Sequence, residues 1–250
     1  MIECDALALG WQAHMAAPQI RVETLSDANY DLVSRFEKTG ASVTLLKIEL
    51  EFGVPTILAV LSNRCPTAPA RVFAAGTSLD PEAGVRKSLE MLAHVQQYCQ
   101  LVTTQLPRVE NDPGLIADQS DHLNFWCDPR NAAHAGFLSS STERIEFDEL
   151  PNLVSGTVRR DCEWLLERIR GAGYRALLAN LTTPDIADLG LTVVRALIPG
   201  LHPLFYGFRM RALGGRRLWE LPARLGLPGV TIASGDYPFP HPFPRKGMAS

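Results

Sequence analysis

The most constraining stretch is Pro238-Phe239-Pro240-His241-Pro242-Phe243-Pro244, where proline stands at every second position. Each proline fixes its own φ, pushes the residue before it into extended geometry and offers no N–H. A helix and a central strand are therefore both excluded. What is left is a stiff extended rod, either solvated or laid where Phe239, His241 and Phe243 find cover. Grooves that read polyproline helices want PxxP spacing, which suits three residues per turn, and alternation fits them poorly. The chain divides accordingly into a body, residues 1–236, and a proline-rich tail, residues 237–250.

The chain has 250 residues, 46% of them hydrophobic, which is enough to bury the core of one domain. Net charge is −3, with Lys and Arg scattered, so no electrostatic footprint argues for nucleic acid or an anionic membrane. The cluster Arg209, Arg211, Arg216 and Arg217 beside a turn reads as a solvated face. Cys4, Cys65, Cys99, Cys127 and Cys162 form neither CxxC nor CxxH, which suits reduced thiols in a cytoplasmic protein better than a disulfide frame or a zinc site. No apolar run reaches bilayer length, and no basic segment followed by an apolar one opens the chain.

Ile2, Ala6, Leu9 and Ala13 recur near helical period, so Met1 to Met15 reads as a helix. It starts without an N-cap inside an apolar pattern, as if an upstream part of the fold came from elsewhere. Asp27 can cap a second helix over Tyr30 to Lys38, closed by Gly40. Ser42 to Glu51 and Pro55 to Ser62 form a hairpin of two strands about Phe52-Gly53-Val54, with a third strand around Arg71 to Ala75. Asp80-Pro81-Glu82 opens the clearest helix, with an N-cap followed by proline at the first helical position, running to about Cys99.

On that helix Glu82, Arg86, Glu90 and His94 recur every four residues along one side. The stripe is either functional or a wet face of ion pairs. Thr103 to Ser141 reads as loop, and its Asp121-His122 pair suits a turn or cap better than a dyad, because sequence neighbours seldom face each other. Ser155 or Thr157 starts a helix over Val158 to Arg170 with Val158, Cys162, Leu165, Leu166 and Ile169 inward. Tyr174 to Thr182 and Leu191 to Ile198 are strands around a short helical turn at Thr183-Pro184-Asp185, which implies an α/β (α+β) protein with a mixed sheet covered by helices. GxxxxGK[ST], GxGxxG, GxSxG and HExxH do not occur.

Several segments together resemble the YcaO family, in its cyclodehydratase subgroup. Ile2-Glu3-Cys4-Asp5-Ala6 is similar to the "IERDA" end of an ExxER segment, and Asp80 to Gln96 resembles the "DPxxAxxRALxExxQxR" helix. Asp121-His122 resembles a DH pair, and Leu181 to Ile186 resembles "DLTTPDI". Val193 to Leu204 is similar to "VVRVxVPGLxPL", Ala212 to Pro222 to "RLGGxRLYExP", and the tail to a PxPxPxP ending. The departures are Cys4 in place of arginine, Lys87 in place of arginine, Met91 where the helix glutamate falls, and Arg245 to Ser250 after the last proline.

The resemblance implies a YcaO-like fold and a cyclodehydratase that uses ATP and Mg2+ to make thiazoline or oxazoline rings in a ribosomal precursor peptide. It implies Glu3, Glu82, Lys87, Glu90 and His94 as nucleotide-binding positions, Glu3 and Glu90 as metal ligands, and Pro238, Pro240, Pro242 and Pro244 as the catalytic segment. Residues 1–236 are then a partial YcaO domain, and the expected partners are a second YcaO-half polypeptide and the precursor peptide. A peptide-recognition protein and a flavin dehydrogenase are further candidates. A scaffold that binds the precursor or a partner enzyme without catalysis is the alternative.

Overall fold

At the centre of the molecule lies the run Thr56–Ser62, TILAVLS, in which every residue but Ser62 is buried. A continuous apolar, β-branched run of this length suits a strand covered on both faces. In the computed structural model, which describes residues 1–109, 113–207, 210 and 216–226, that strand is β3. The rod at Pro238, Pro240, Pro242 and Pro244, with the division at residue 236, lies outside the described residues.

β3 is flanked by Ser42–Ile48 (β2) and Arg71–Thr77 (β4), both antiparallel to it, with registers from Ser42↔Ser62 to Ile48↔Thr56 and from Thr56↔Thr77 to Ser62↔Arg71. The expected hairpin and third strand are both present. Gln19–Ile20 (β1) continues the sheet antiparallel to β2 and pairs in parallel with Arg144–Ile145 (β5). The result is a mixed five-stranded sheet, β4-β3-β2-β1-β5.

Alternation along β3 divides the core. Ile57, Ala59 and Leu61 pack with Leu45 and Val72 under the helices Asp27–Glu37 (α2) and Pro81–Gln105 (α3). Leu58 and Val60 face the other way, with Leu46 and Ile48, onto Ile2–Gln12 (α1) and Gln119–Cys127 (α4), where Leu9, Trp11, Phe125 and Trp126 are buried. A third, smaller cluster of Ile2, Phe52, Val54, Ile169, Ile198 and Leu201 joins the start of α1 to Val158–Gly171 (α5) and to a separate antiparallel ribbon. The ribbon's strands are Leu177–Asn180 (β6) and Val194–Leu197 (β7), with Pro184–Asp188 (α6) between them and Arg217–Arg224 (α7) beyond. Among the described residues no helix is long and apolar enough to cross a membrane.

Four expectations are corrected. The cap of α2 is Ser26, whose hydroxyl accepts from Asn29 N–H, and Asp27 is already the first helical residue. α3 continues past Cys99 to Gln105, because Cys99 and Val102 still face the core. The supposed loop after Thr103 contains α4, whose cap Asp118 accepts from the N–H groups of Ser120 and Asp121; the Asp and Pro residues there punctuate a helix. The last two strands do not enter the mixed sheet: short α6 turns the chain straight back, so among the described residues β6 and β7 pair only with each other.

Candidate functional site

Glu3 and Asp5 lie in the first turn of α1. Two residues on a helix are about 200° apart, so the two carboxylates must point in nearly opposite directions. Glu3 faces outward: its Oε2 accepts from the Thr77 N–H at 2.9 Å and from Lys87 Nζ at 2.7 Å. α1, the end of β4 and α3 thus meet at one carboxylate. The Lys87 and Glu3 side chains are 48% and 27% exposed, on the rim of an apolar cavity of about 560 Å³ whose walls include Cys4, Leu165, Ile169 and Leu178.

Lys87 reaches Glu3 because α3 lies directly on β4. A Cβ placed on Gly76 would fall inside the carbonyl oxygen of Gly84 and 2.8 Å from the Ser88 nitrogen. Gly76 was not singled out from sequence; a lone glycine inside a strand's apolar run was the signal for a close backbone approach. Asp80 fixes where α3 begins, its Oδ1 accepting from the Glu82 N–H at 3.0 Å, as expected of the cap.

The other candidate positions on α3 are placed differently. Glu82 lies about 140° around the helix from Lys87. Its Oε2 accepts from Ser26 Oγ at 2.8 Å and Asn29 Nδ2 at 2.7 Å, which ties α3 to α2. Met91 and His94 follow Lys87 at i+4 and i+7 on one exposed face, while exposed Glu90 is about 60° off that line. The cavity is lined by Glu3 and Lys87 but not by Glu82, Glu90 or His94. Among the described residues no three His, Cys, Asp or Glu side chains converge as a metal site. Glu3 and Lys87 fit part of a magnesium-nucleotide site: Mg2+ is commonly held by one or two carboxylates, with phosphate and water oxygens completing the shell. Lysine serves phosphate as a point charge.

Asp5 points inward and is fully buried. Its Oδ1 accepts from Arg217 Nε at 2.7 Å and from the His202 N–H at 2.7 Å, and its Oδ2 from Arg217 Nη2 at 2.6 Å. Arg217 also donates to Glu51, from Nη2 at 3.0 Å, and to the Tyr174 hydroxyl, and its guanidinium lies over the Phe52 and Tyr174 rings. Burial alone would lower the Arg217 pKa, but the hydrogen bonds and charges of Asp5 and Glu51 outweigh it and the net movement is upward. The arginine cluster is therefore not one solvated face: the Arg217 side chain is 4% exposed and that of Arg216 is 88% exposed, while Arg209 and Arg211 lie outside the described residues. The start of α1 is joined here to His202 and Arg217, 197 and 212 residues further along the chain.

His202 is buried as well, and its Nδ1 lies 2.9 Å from the Pro203 carbonyl oxygen, which only accepts; neutral His202 is thus protonated at Nδ1. Asp121 acts as a turn element, its Oδ2 accepting from the Ala117 N–H, while His122 packs edge-on to Tyr206 at 5.1 Å. On α5 the expected inward row is only partly covered. Ile169 is buried, Leu165 and Leu166 are half-buried and Cys162 is exposed, because these four border the open cavity instead of a packed wall; Val158, outside the cavity lining, is 79% exposed.

A mixed sheet covered by helices on both faces, with a carboxylate–ammonium pair at the mouth of an apolar cavity, defines an α/β protein with a cleft between α1, α3, α5 and the ribbon. Residues 1–202 match the family model described as YcaO cyclodehydratase, ATP- and Mg2+-binding. The chain belongs to the YcaO family. It is 29% identical over 207 residues to an uncharacterised protein of Methanothermobacter thermautotrophicus, a match covering 81% of this chain and 50% of that one. The chain thus spans about half the length of that curated relative. In fold it is similar to a heterocyclase solved in complex with substrate and cofactor, at TM-score 0.77 and 20% identity, covering 97% of this chain and 30% of that one. It is also similar to the YcaO of Methanopyrus kandleri bound with AMPPCP and Mg2+, at TM-score 0.60 and 20% identity, covering 80% of this chain and 49% of that one.

Proposed function

We propose that the chain is part of an ATP-dependent cyclodehydratase that converts Cys, Ser or Thr of a ribosomal precursor peptide to azolines. It works together with a second YcaO-half polypeptide in the cytoplasm. The observation that carries this reading is the Glu3–Lys87 pair at the cavity rim, in a chain whose residues 1–202 match the family. Magnesium-bound ATP, when present, supplies the phosphoryl group that makes the attacked amide oxygen a leaving group. Lys87 offsets the negative charge of the phosphates and of the oxygen that gains charge as the amide is attacked. Glu3 supplies a carboxylate for the cation, and the apolar walls beyond it limit water at the reacting centre.

Within this reading Glu90 and His94, on the exposed face of α3 outside the cavity lining, are further nucleotide-side positions and Glu90 is a second metal ligand, whereas Glu82, bonded to Ser26 and Asn29, ties α3 to α2 instead. Pro238 to Pro244 is a catalytic segment carried by a tail, 237–250, distinct from the body, 1–236. A peptide-recognition protein and a flavin dehydrogenase are additional partners. One observation favours a non-catalytic scaffold instead: Met91, 43% exposed, stands one turn beyond Lys87 where the helix motif carries glutamate. The test is peptide-dependent ATP hydrolysis. The chain alone is expected to be inactive, and the assembly with its partner to turn over ATP while the peptide loses one water per ring. An assembly that binds peptide without turnover supports the scaffold.

A further inference from the structure

A two-stranded ribbon is marginal by itself and needs a third strand or a packed face. All eight residues of β6 and β7 are exposed, although most are apolar. The cross-strand pairs Leu177↔Leu197 and Leu178↔Ala196 are successive and so point to opposite faces. Both faces are therefore apolar, the pattern of a strand pair covered on both sides. Leu178, 66% exposed, and Val194, 53% exposed, share one face of the ribbon, and Leu189 and Leu191 in the connection are 70% and 58% exposed, so the exposed apolar side chains are concentrated in this part of the chain. Leu178 and Ala196 share the cavity with Leu165 and Leu166 of α5 and with Glu3 and Lys87. Among the described residues β6 and β7 pair only with each other, so each has one edge unpaired within the sheet. This chain aligns with 50% of the archaeal relative and with 30% of the heterocyclase, so in those proteins the same fold adjoins at least as much polypeptide again.

We infer that the β6–β7 ribbon and the cavity-lining row of α5, Cys162, Leu165 and Leu166, are the seat of the second YcaO-family polypeptide. It adds a strand to a ribbon edge, covers Leu178 and Val194, and closes the cavity over Glu3 and Lys87. Backbone hydrogen bonds give such strand addition its affinity, and the alternate side chains give it specificity. The inference rests on the reading of the chain as one part of a larger YcaO assembly.

The test is amide hydrogen exchange on the full chain, alone and co-produced with the half of the Methanothermobacter relative that lies outside its 207 matched residues. Alone, the chain is expected to be a monomer whose ribbon amides exchange freely. With the archaeal half, a one-to-one complex is expected, with exchange at residues 177–180 and 194–197 slowed by about tenfold or more. Leu178→Lys should abolish the complex and Leu178→Ala weaken it, with β2–β4 protection unchanged in both, which shows that the body remains folded. The inference is overturned by failure to assemble, by assembly that leaves ribbon exchange unchanged, or by a homodimer that already protects the ribbon. Peptide-dependent turnover without ribbon protection would sink the docking site and leave the enzyme reading standing; ribbon protection without turnover would do the reverse.

Discussion

Arg217 holds its charge where water hardly reaches, between Asp5 and Glu51. Removing one member of such a buried group leaves the others charged and uncompensated, which typically costs about 3–5 kcal/mol. Arg217→Met is expected to lose that much in urea-induced unfolding at neutral pH, and a loss below about 1 kcal/mol would contradict the packing described. His202 gives a pH signature. Burial, the largest cause, lowers its pKa from 6.5, with Pro203 and Asp5 opposing. The folded protein therefore favours neutral His202 while the unfolded chain takes up a proton near the ordinary value. Its contribution is complete above about pH 6.5 and is lost as pH falls from there toward the folded value. His202→Gln should flatten that part of the stability curve, and an unchanged slope would show that His202 does not titrate differently on folding. Glu3 and Lys87 were both reached through the family's motifs. Asp5 and Arg217 also stand inside those motifs, but their pairing was not legible, because 212 residues separate them and nothing local in either segment marks the other as its partner.

At the scale of elements, α3 on β4 sets the geometry of the site. Gly76→Ala drives a methyl group into the Gly84 carbonyl and is expected to cost about 1–3 kcal/mol while displacing Lys87 from Glu3. Gly84→Ala is the matching control: its new Cβ meets Ile57 and Ser78 at 3.7 Å, an ordinary contact, so helix propensity should make it neutral or stabilising by up to about 1 kcal/mol. Equal losses in thermal unfolding for the two variants would refute the asymmetry. The elements that sequence pattern placed well, β2, β3, β4 and the start of α3, carry alternating or continuous apolar strand runs or a cap followed by proline. α4 was missed because its capping Asp118 and the flanking Asp128-Pro129 resemble loop punctuation. The α5 row was read as buried because amphipathic periodicity reports which side is apolar and says nothing about whether anything covers it.

For the whole molecule, the fold class followed from alternating strand and helix patterns, and the mixed character comes from the parallel β1–β5 pair, two residues on each side, too short to leave a sequence signature. The separate ribbon was not legible, since pairing between β6 and β7 rather than with the main sheet depends on the path of α6. Function is carried at this scale as well, because Glu3 belongs to α1, Lys87 to α3 and the cavity wall to α5 and the ribbon. The most direct measurement is the mass spectrum of the precursor peptide after incubation with MgATP and the assembled protein, wild type against Glu3→Gln. The account predicts loss of one water per ring with wild type, and with Glu3→Gln intact assembly but at least about a hundredfold slower ring formation, of the order seen when one preorganised charge-stabilising group is removed. Rings formed at the wild-type rate by Glu3→Gln, or without ATP, would contradict it.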